Sequence, residues 1–204
     1  EVDLILSVNY LFIIERALFS KSEIAVNIHG SLLPKYRGRT PHVWAIINNE
    51  SKTGITAHLI DDECDTGDII RQIEVAIGNN DTGADILEKF NKLYMSIVDE
   101  ILANHESGSL TTIPQKNENA TFFGKRTPED GRINWSWHRE RIRNWVRAQA
   151  SPYPGAFTYL KDQKIVIDEI VFSDLGFDAT DQNGFIISLN PTCVKTPNGV
   201  VELR

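Results

Sequence analysis

Residues 26–46, VNIHGSLLPKYRGRTPHVWAI, join the end of an apolar strand to a loop that carries glycine, proline and basic residues. The predicted strand, Ile24–Val26, is apolar, and the chain turns polar at Asn27 and His29. Residues two apart in a strand point to the same side, so these two polar side chains share one face. Ligands of open α/β sheets bind outside the carboxyl ends of the strands. The stretch therefore predicts a functional site at a strand end.

Strands and helices alternate on both sides of this stretch, which indicates an α/β fold. Tyr10–Leu18 is predicted to be a loop with a helical turn. A helix is predicted over Thr82–Asn104 because its apolar residues recur with a period near 3.6, and Thr82 with Asp85 forms a capping-box variant at its start. The other predicted elements are strands at Leu4–Val8, Thr53–Ile60 and Ile69–Ile77 and a helix at Pro41–Ile47.

The polar segment 106–120 marks a domain boundary, which divides the chain into residues 1–113 and 114–204. A helix with Ser136 as its N-cap follows the boundary. Short alternating stretches after it predict a small antiparallel sheet or barrel. These stretches are Phe157–Leu160, Ile165–Phe172, Gly184–Leu189, Cys193–Thr196 and Val200–Leu203.

Composition and charge exclude several classes of protein. Apolar residues make up 41% of the 204 residues, which is enough for a packed core, and no apolar run is long enough to span a bilayer. The net charge of −7 argues against a surface that binds nucleic acid throughout. Residues 121–164 nevertheless hold nine Lys and Arg against four Asp and Glu, typical of a solvated helix face or a phosphate-binding face. Cys64 and Cys193 lack the spacing of a zinc site or a disulfide framework, so we expect a cytoplasmic enzyme with free thiols.

Asn27, His29 and Asp65 are the side chains best suited to catalysis. Histidine transfers protons near neutral pH, and a carboxylate can orient it and raise its pKa. An asparagine amide can donate to an oxygen that becomes negative when a carbonyl is attacked. Without a Ser or Cys nucleophile, this set suggests direct acyl transfer to an amine. A structural histidine after a strand and an aspartate that serves only its turn remain open alternatives.

Three segments, NIHGSLLPKYRG, TGITAH and DTGDI, resemble the active-site signature of the 10-formyltetrahydrofolate-dependent formyltransferases. FFGKRTPEDGRINW and VRAQASPYPGAF resemble the C-terminal part of the same family, so the resemblance covers most of the chain. It implies a Rossmann-like catalytic domain followed by a small, mostly β, OB-like domain. It also implies that an N-terminal half before Glu1 is absent from this chain, which would leave Leu4–Val8 and Ile24–Val26 as edge strands with exposed apolar faces.

The resemblance implies that Asn27, His29 and Asp65 form the catalytic triad and that no metal is needed. Asn27 would hydrogen-bond the tetrahedral oxyanion, His29 would take up the ammonium proton or stabilise the oxyanion, and Asp65 would orient His29. His58 would either support this triad or be a core histidine. The residues expected to hold the pterin of N10-formyltetrahydrofolate, largely through backbone groups, are Asn9, Tyr10, Leu11, Phe12, Asp61, Asp62 and Asp65.

The segment RGRTPHVWAI resembles the nucleotide-sugar N-formyltransferases more than the tRNA enzymes. We therefore expect a nucleotide-diphosphate amino sugar as acceptor, such as dTDP-4-amino-4,6-dideoxyglucose or a 3-amino analogue, in lipopolysaccharide O-antigen synthesis. We expect no nucleic-acid or membrane partner and leave a homodimer open. The alternatives are methionyl-tRNA formyltransferase, formyltetrahydrofolate hydrolase and an inactive ligand-binding remnant. The residues expected to contact the acceptor are Lys35, Tyr36, Arg37, Arg39 and His42, although loop solvation could explain Lys35.

Overall fold

The computed structural model describes residues 2–10 and 12–204. The chain forms two compact units. The first contains the residues up to Ala45 together with Ser51–Ile77 and Ile86–Lys125, and the second contains Ile46–Glu50, Gly78–Asp85 and Arg126–Arg204. None of the described helices combines the length and the apolar character needed to cross a bilayer.

The first unit is built on a four-stranded mixed sheet. Its strands in chain order are β1 (Val2–Val8), β2 (Ser22–His29), β4 (Lys52–Leu59) and β5 (Ile69–Ala76), and they lie side by side in that order. β1 and β2 are parallel, whereas the other two pairs are antiparallel. A second, two-stranded parallel pair joins β3 (Arg37–Gly38) to β6 (Phe122–Phe123). The helices are α1 (Arg16–Phe19), α2 (Pro41–Ile47) and α3 (Gly83–Glu106).

β2 differs from its prediction in two ways. It continues through His29, because its pairing with β4 runs from Val26 opposite Leu59 to His29 opposite Thr56. The expectation that Ile24–Val26 is an edge strand is wrong, since β2 lies between β1 and β4. The two strands that bracket β2 therefore hold Asn27 and His29 on a fixed backbone.

The 3.6-residue period of α3 is confirmed by its burial. Ile86, Phe90, Ile97 and Ile101 are fully buried along one face. The capping box is also present at the start of the helix, because Asp85 Oδ2 accepts from the Thr82 backbone N–H at 2.8 Å and Thr82 Oγ1 accepts from the Asp85 N–H at 3.2 Å.

The second unit is mostly β, as the sequence predicts. Its main elements are the helix α4 (Arg139–Ala148) and two antiparallel sheets. The first sheet pairs β7 (Ala156–Leu160) with β8 (Gln163–Ile167). The second has the order β10-β11-β12-β9, formed by β9 (Ile170–Ser173), β10 (Ile186–Leu189), β11 (Thr192–Thr196) and β12 (Gly199–Leu203).

Two predictions for the second unit are wrong in detail. Ile165–Phe172 is not one strand, because the chain leaves the first sheet at Asp168 and Glu169, whose backbone N–H groups donate to the Arg204 carbonyl at 2.9 and 3.0 Å. α4 has His138 and not Ser136 as its N-cap. Neither difference moves a predicted site residue.

Candidate functional site

The end of β2 and the loop between β4 and β5 bring Asn27, His29 and Asp65 together. β2 carries the first two residues, and Asp65 follows the end of β4. His29 Nδ1 lies 3.4 Å from Asp65 Oδ1, and both side chains are largely buried. The contact that the sequence predicts between these two residues is therefore present.

The His29 imidazole is fixed by the loop that follows β2. Its Nε2 donates to the backbone carbonyl of Tyr36 at 2.8 Å, because a carbonyl can only accept. Nδ1 is then the nitrogen left for proton transfer. Burial lowers the pKa of His29, against the opposing effects of Asp65 and the Tyr36 carbonyl. The ring is thus suited to be neutral at pH 7 and to accept a proton.

Asp65 is held as an ionised carboxylate. Its backbone adopts φ +59°, a left-handed conformation that aspartate tolerates better than most residues. Oδ2 accepts from the Gly38 backbone N–H at 2.8 Å and from Cys64 Sγ at 3.2 Å. Burial raises the pKa of Asp65, but the His58 and His29 imidazoles and the Gly38 N–H lower it more strongly, to well below its usual value.

His58 lies on β4 directly opposite Asn27 and is almost completely buried. Asn27 Nδ2 lies 3.2 Å from His58 Nε2, while the other ring nitrogen, Nδ1, lies 2.8 Å from the Leu59 carbonyl. On the other side of Asn27, β1 places Ser7 in register with it. The Ser7 hydroxyl is buried and has no hydrogen-bond partner among the described residues.

Gln115 connects the two loops of the site, and nothing in the sequence pointed to it. Its Nε2 donates to the carbonyls of Asp65 and Gly67 at 2.9 and 2.7 Å. Its Oε1 accepts from Arg37 Nε and from a terminal nitrogen of Arg37 at 3.1 and 2.7 Å. The only signal for His58 was its position in TGITAH, on the strand before the acidic loop.

Arg37 does not lie where a phosphate could reach it. The residue is 2% exposed, and its guanidinium also donates to Asn117 Oδ1 at 2.9 Å and lies over the Phe122 ring. These contacts oppose the prediction that Arg37 contacts the acceptor: in this structure it ties the loop after β2 to residues 115–122. Sequence reasoning missed this because the partners of the guanidinium are 78 and 80 positions away.

Tyr36 and His42 are also core residues in this structure. The Tyr36 ring stacks on Phe123 with the ring centres 4.9 Å apart, and the residue is buried. His42 meets the edge of Phe90, and burial with a contribution from His29 lowers its pKa to about 4. These contacts oppose the prediction that the two side chains touch the acceptor.

Lys35 and Arg39 remain accessible at the edge of the site. Lys35 is exposed and Arg39 is half-buried. The Arg39 backbone N–H donates to the Phe123 carbonyl at 2.9 Å, which fixes the start of its side chain. Burial and Asp65 raise the pKa of the Cys64 thiol to about 11, while the positive charges of Arg39 and Arg37 oppose this rise. Arg39 is therefore an accessible predicted acceptor residue whose charge acts on Cys64, the neighbour of Asp65 in the chain.

The residues predicted to hold the folate lie partly at the surface. Asn9 adopts φ +54° and accepts from the Tyr94 hydroxyl at 2.9 Å. Tyr10 and Phe12 are 58% and 72% exposed, with their ring centres 5.7 Å apart. Leu11 lies outside the described residues. Two exposed aromatic rings next to β1 offer an apolar surface of the kind that a flat ring system packs against.

The acidic residues after β4 make contacts both within their own loop and with α1. Asp61 Oδ1 accepts from Thr66 Oγ1 at 2.7 Å, and Asp62 is paired with Arg16. Within residues 2–10 and 12–204, no three His, Cys, Asp or Glu side chains cluster as a metal site requires.

Two family models match the sequence. The model described as formyl transferase matches residues 1–102, and the model described as formyl transferase, C-terminal domain, matches residues 125–204.

Several solved structures share the fold. HypX from Aquifex aeolicus is 22% identical with a TM-score of 0.74, and the match covers 98% of this chain but 35% of HypX. An N-formyltransferase from Helicobacter canadensis, in complex with folinic acid and dTDP-3-aminofucose, is 22% identical with a TM-score of 0.78 over 97% of this chain and 71% of its own. WlaRD, a sugar 3N-formyl transferase solved in the presence of dTDP and 5-N-formyl-THF, is 26% identical with a TM-score of 0.71 over 97% and 70%. The chain thus spans about a third of the length of one of these proteins and about 70% of the other two.

Proposed function

Because the chain belongs to the formyl transferase family, we propose that it transfers a formyl group from N10-formyltetrahydrofolate to the amine of a nucleotide-linked amino-dideoxy sugar. The observation that carries this proposal is the convergence of Asn27, His29 and Asp65 at the end of β2. We extend the proposal to a cytoplasmic step of lipopolysaccharide O-antigen synthesis, with dTDP-4-amino-4,6-dideoxyglucose or its 3-amino analogue as acceptor.

The proposed reaction balances without a further reactant. The neutral amine attacks the formyl carbon, and the resulting tetrahedral intermediate carries an oxyanion and an ammonium group. Asn27 donates an amide N–H to the oxyanion, a contact typically worth about 3 kcal/mol in the transition state. His29 accepts the ammonium proton, and Asp65 stabilises the imidazolium. The bond between the formyl carbon and N10 then breaks, N10 takes a proton, and a formamide and tetrahydrofolate leave.

The burial of the triad supports the proton transfers in this scheme. His29 has a lowered pKa and is therefore a free base at neutral pH, while the Asp65 carboxylate 3.4 Å away favours the charged form once a proton arrives. A buried pair of this kind is less screened by solvent than an exposed one. The geometry thus suits a base that must be neutral at the start of the reaction and charged in the middle of it.

The choice of acceptor rests on the comparisons and on charge. Two of the similar structures are sugar-modifying enzymes solved with dTDP or a dTDP-sugar, and they were solved with folate derivatives. The net charge of −7 is unfavourable for binding tRNA. Arg39 is suited to paired phosphate oxygens of a nucleotide diphosphate, and Lys35 lies nearby on the same loop.

A ligand screen followed by turnover tests the proposal. dTDP-, UDP- and GDP-amino sugars are added singly, and a ligand that binds the native state raises its melting temperature. We expect a dTDP-amino sugar to give the largest rise and to yield a formamide when N10-formyltetrahydrofolate is present. Formate release without an acceptor would instead indicate a hydrolase, and tight, salt-sensitive tRNA binding would indicate the tRNA enzyme.

We predict that His29→Ala lowers kcat by about 10²–10⁴-fold, the usual contribution of a positioned acid–base group. His105→Ala, at the end of α3, is the matched control and should keep the wild-type rate. Single-turnover formamide formation measures both variants. A His29→Ala protein with unchanged kcat and an unchanged melting temperature would contradict the proposed mechanism.

A further inference from the structure

His58 makes two hydrogen bonds whose partners have fixed chemical roles. Its Nδ1 lies 2.8 Å from the Leu59 carbonyl, which can only accept, so Nδ1 carries a proton. In the neutral ring Nε2 is then the acceptor without a proton, and the Asn27 side-chain amide lies 3.2 Å from it. The two contacts together define one neutral tautomer of the imidazole.

The carboxylate of Asp65 does not change this assignment. Asp65 Oδ1 lies 3.6 Å from His58 Nε2, which is too long for a hydrogen bond and longer than the contact with Asn27. Oδ1 is also 3.4 Å from His29 Nδ1, while Oδ2 already accepts from Gly38 and Cys64. Nε2 of His58 is therefore paired with the amide and not with the carboxylate.

This tautomer decides which end of the Asn27 amide meets His58. If the amide turned over, its oxygen would face the lone pair of Nε2, and two acceptors would repel each other in a buried site. The backbone leaves little freedom to avoid this, because Asn27 and His58 are directly opposite each other on paired strands. Asn27 consequently keeps its NH₂ group against β4, with one N–H bound to His58 and the second left for a ligand.

We propose that His58 is a positioning residue: it fixes the amide of Asn27 so that an N–H, and not the carbonyl, faces the reacting centre. The proposal rests on the proposed function in that it assigns a purpose to this N–H, the stabilisation of the oxyanion. An amide held the other way would direct an oxygen at the developing negative charge and would oppose the reaction. The register between β2 and β4 thus determines that the Asn27 amide presents a hydrogen-bond donor, and not an acceptor, to the reacting centre.

The first test needs no substrate. Two-bond proton–nitrogen spectra of the uniformly ¹⁵N-labelled, ligand-free protein report which ring nitrogen of each histidine is protonated, and the signals lost in His58→Gln identify His58. We expect Nδ1 protonated and Nε2 unprotonated at neutral pH. A proton on Nε2, alone or on both nitrogens, would overturn the proposal, whatever reaction the protein catalyses.

The second test distinguishes the effect of the hydrogen-bond acceptor at position 58 from the effect of side-chain volume. His58→Leu keeps volume but removes the acceptor, whereas the side-chain oxygen of His58→Gln can still accept from Asn27. We expect His58→Leu to lower kcat by about 10–100-fold, as the loss of a supporting contact usually does, with KM for both substrates changed less than about threefold. His58→Gln should recover most of kcat, and His105→Gln should match the wild type.

Two outcomes of the kinetic test contradict the proposal. One is a His58→Leu protein that keeps the wild-type kcat, and the other is a His58→Gln protein that is as slow as His58→Leu while both melt like the wild type. The shape of the kcat–pH profile should be the same in His58→Gln as in the wild type, since a positioning residue does not take part in the proton transfer of the reaction. If the wild type forms no formamide at all, the proposed function fails, while the tautomer spectrum still decides the assignment of His58.

Discussion

At Gly38 the backbone adopts φ +98° and donates its N–H to Asp65 Oδ2 at 2.8 Å. An added Cβ would lie 2.3 Å from the Phe123 carbonyl oxygen, closer than any real Cβ contact. The residue is therefore restricted twice, by its left-handed conformation and by the strand that passes beside it. This backbone N–H and the Cys64 thiol both donate to Asp65 Oδ2.

We predict that Gly38→Ala destabilises the protein by about 1–3 kcal/mol, the range for a strained conformation forced on a non-glycine residue. The same change should lower formyl transfer, because moving β3 away from β6 also moves the amide that holds Asp65. Denaturant unfolding and single-turnover rates measure the two effects.

Gly124→Ala is the matched control for Gly38→Ala, since a Cβ at Gly124 meets nothing within 4 Å and the backbone is not left-handed. It should change the free energy of unfolding by less than about 0.5 kcal/mol. Equal effects of the two substitutions would contradict the argument from the Phe123 carbonyl.

Three segments of the first unit meet around the triad, and Gln115 joins them. It holds the carbonyls of Asp65 and Gly67 with its amide nitrogen and the guanidinium of Arg37 with its oxygen. Every polar atom of the Gln115 side chain is thereby used. The loops that carry the site are consequently held by a side chain that lies on neither of them.

Gln115→Ala should destabilise the protein by about 3 kcal/mol, because a buried guanidinium and two carbonyls lose a partner at once. kcat should fall more than about tenfold, since the Asp65 backbone loses its support. Gln163→Ala, at an exposed position of β8, is the control and should have little effect on either quantity. A stable, fully active Gln115→Ala protein would show that the loops hold themselves.

At the scale of the whole molecule, the buried histidines make stability depend on pH. Burial lowers the pKa of His29 and, to about 4 from 6.5, that of His42. At a pH between the unfolded and folded pKa values, the unfolded chain therefore binds protons that the native state does not bind. A lowered histidine pKa contributes stability that is complete above the unfolded value and is lost as the pH falls towards the folded value.

The free energy of unfolding should accordingly fall between pH 6.5 and about 4, the two pKa values of His42. Each buried histidine contributes at most about 1.4 kcal/mol per pH unit. His42→Gln should make the fall shallower, and His105→Gln, at the partly exposed end of α3, should not. Denaturant unfolding at a series of pH values measures this. A flat profile in the wild type would contradict the assignment.

Local patterns predicted the elements of this chain well, and the failures come from distant contacts. The period of α3, the strand that ends near Asn27 and the approach of Asp65 to His29 all follow from short stretches of sequence. The burial of Arg37 does not, because it depends on Gln115 and Asn117, which no local pattern connects to the loop.

The other differences between the predictions and the structure have the same physical origin. Tyr36 stacks on Phe123, which lies in β6, the strand that pairs with β3. Each of these strands has only two residues, which is too short to be recognised from the sequence. The break in Ile165–Phe172 depends on the carbonyl of Arg204. Accessible positions such as Lys35 and Arg39 stay accessible in the structure, and their contact with an acceptor remains a prediction.

The pairing of β3 with β6 has a consequence for how the protein is made. On the ribosome, Asn27, His29 and Asp65 are synthesised long before Gln115 and Phe123, and Arg37 must wait for a partner 78 positions later. Contacts of such long sequence separation form late in folding, because the intervening loop must first be closed. A nascent chain that stops short of Phe123 would carry the triad residues without the strand that shapes their loop. The loop that carries the triad residues would therefore reach its folded arrangement only after the ribosome has translated β6.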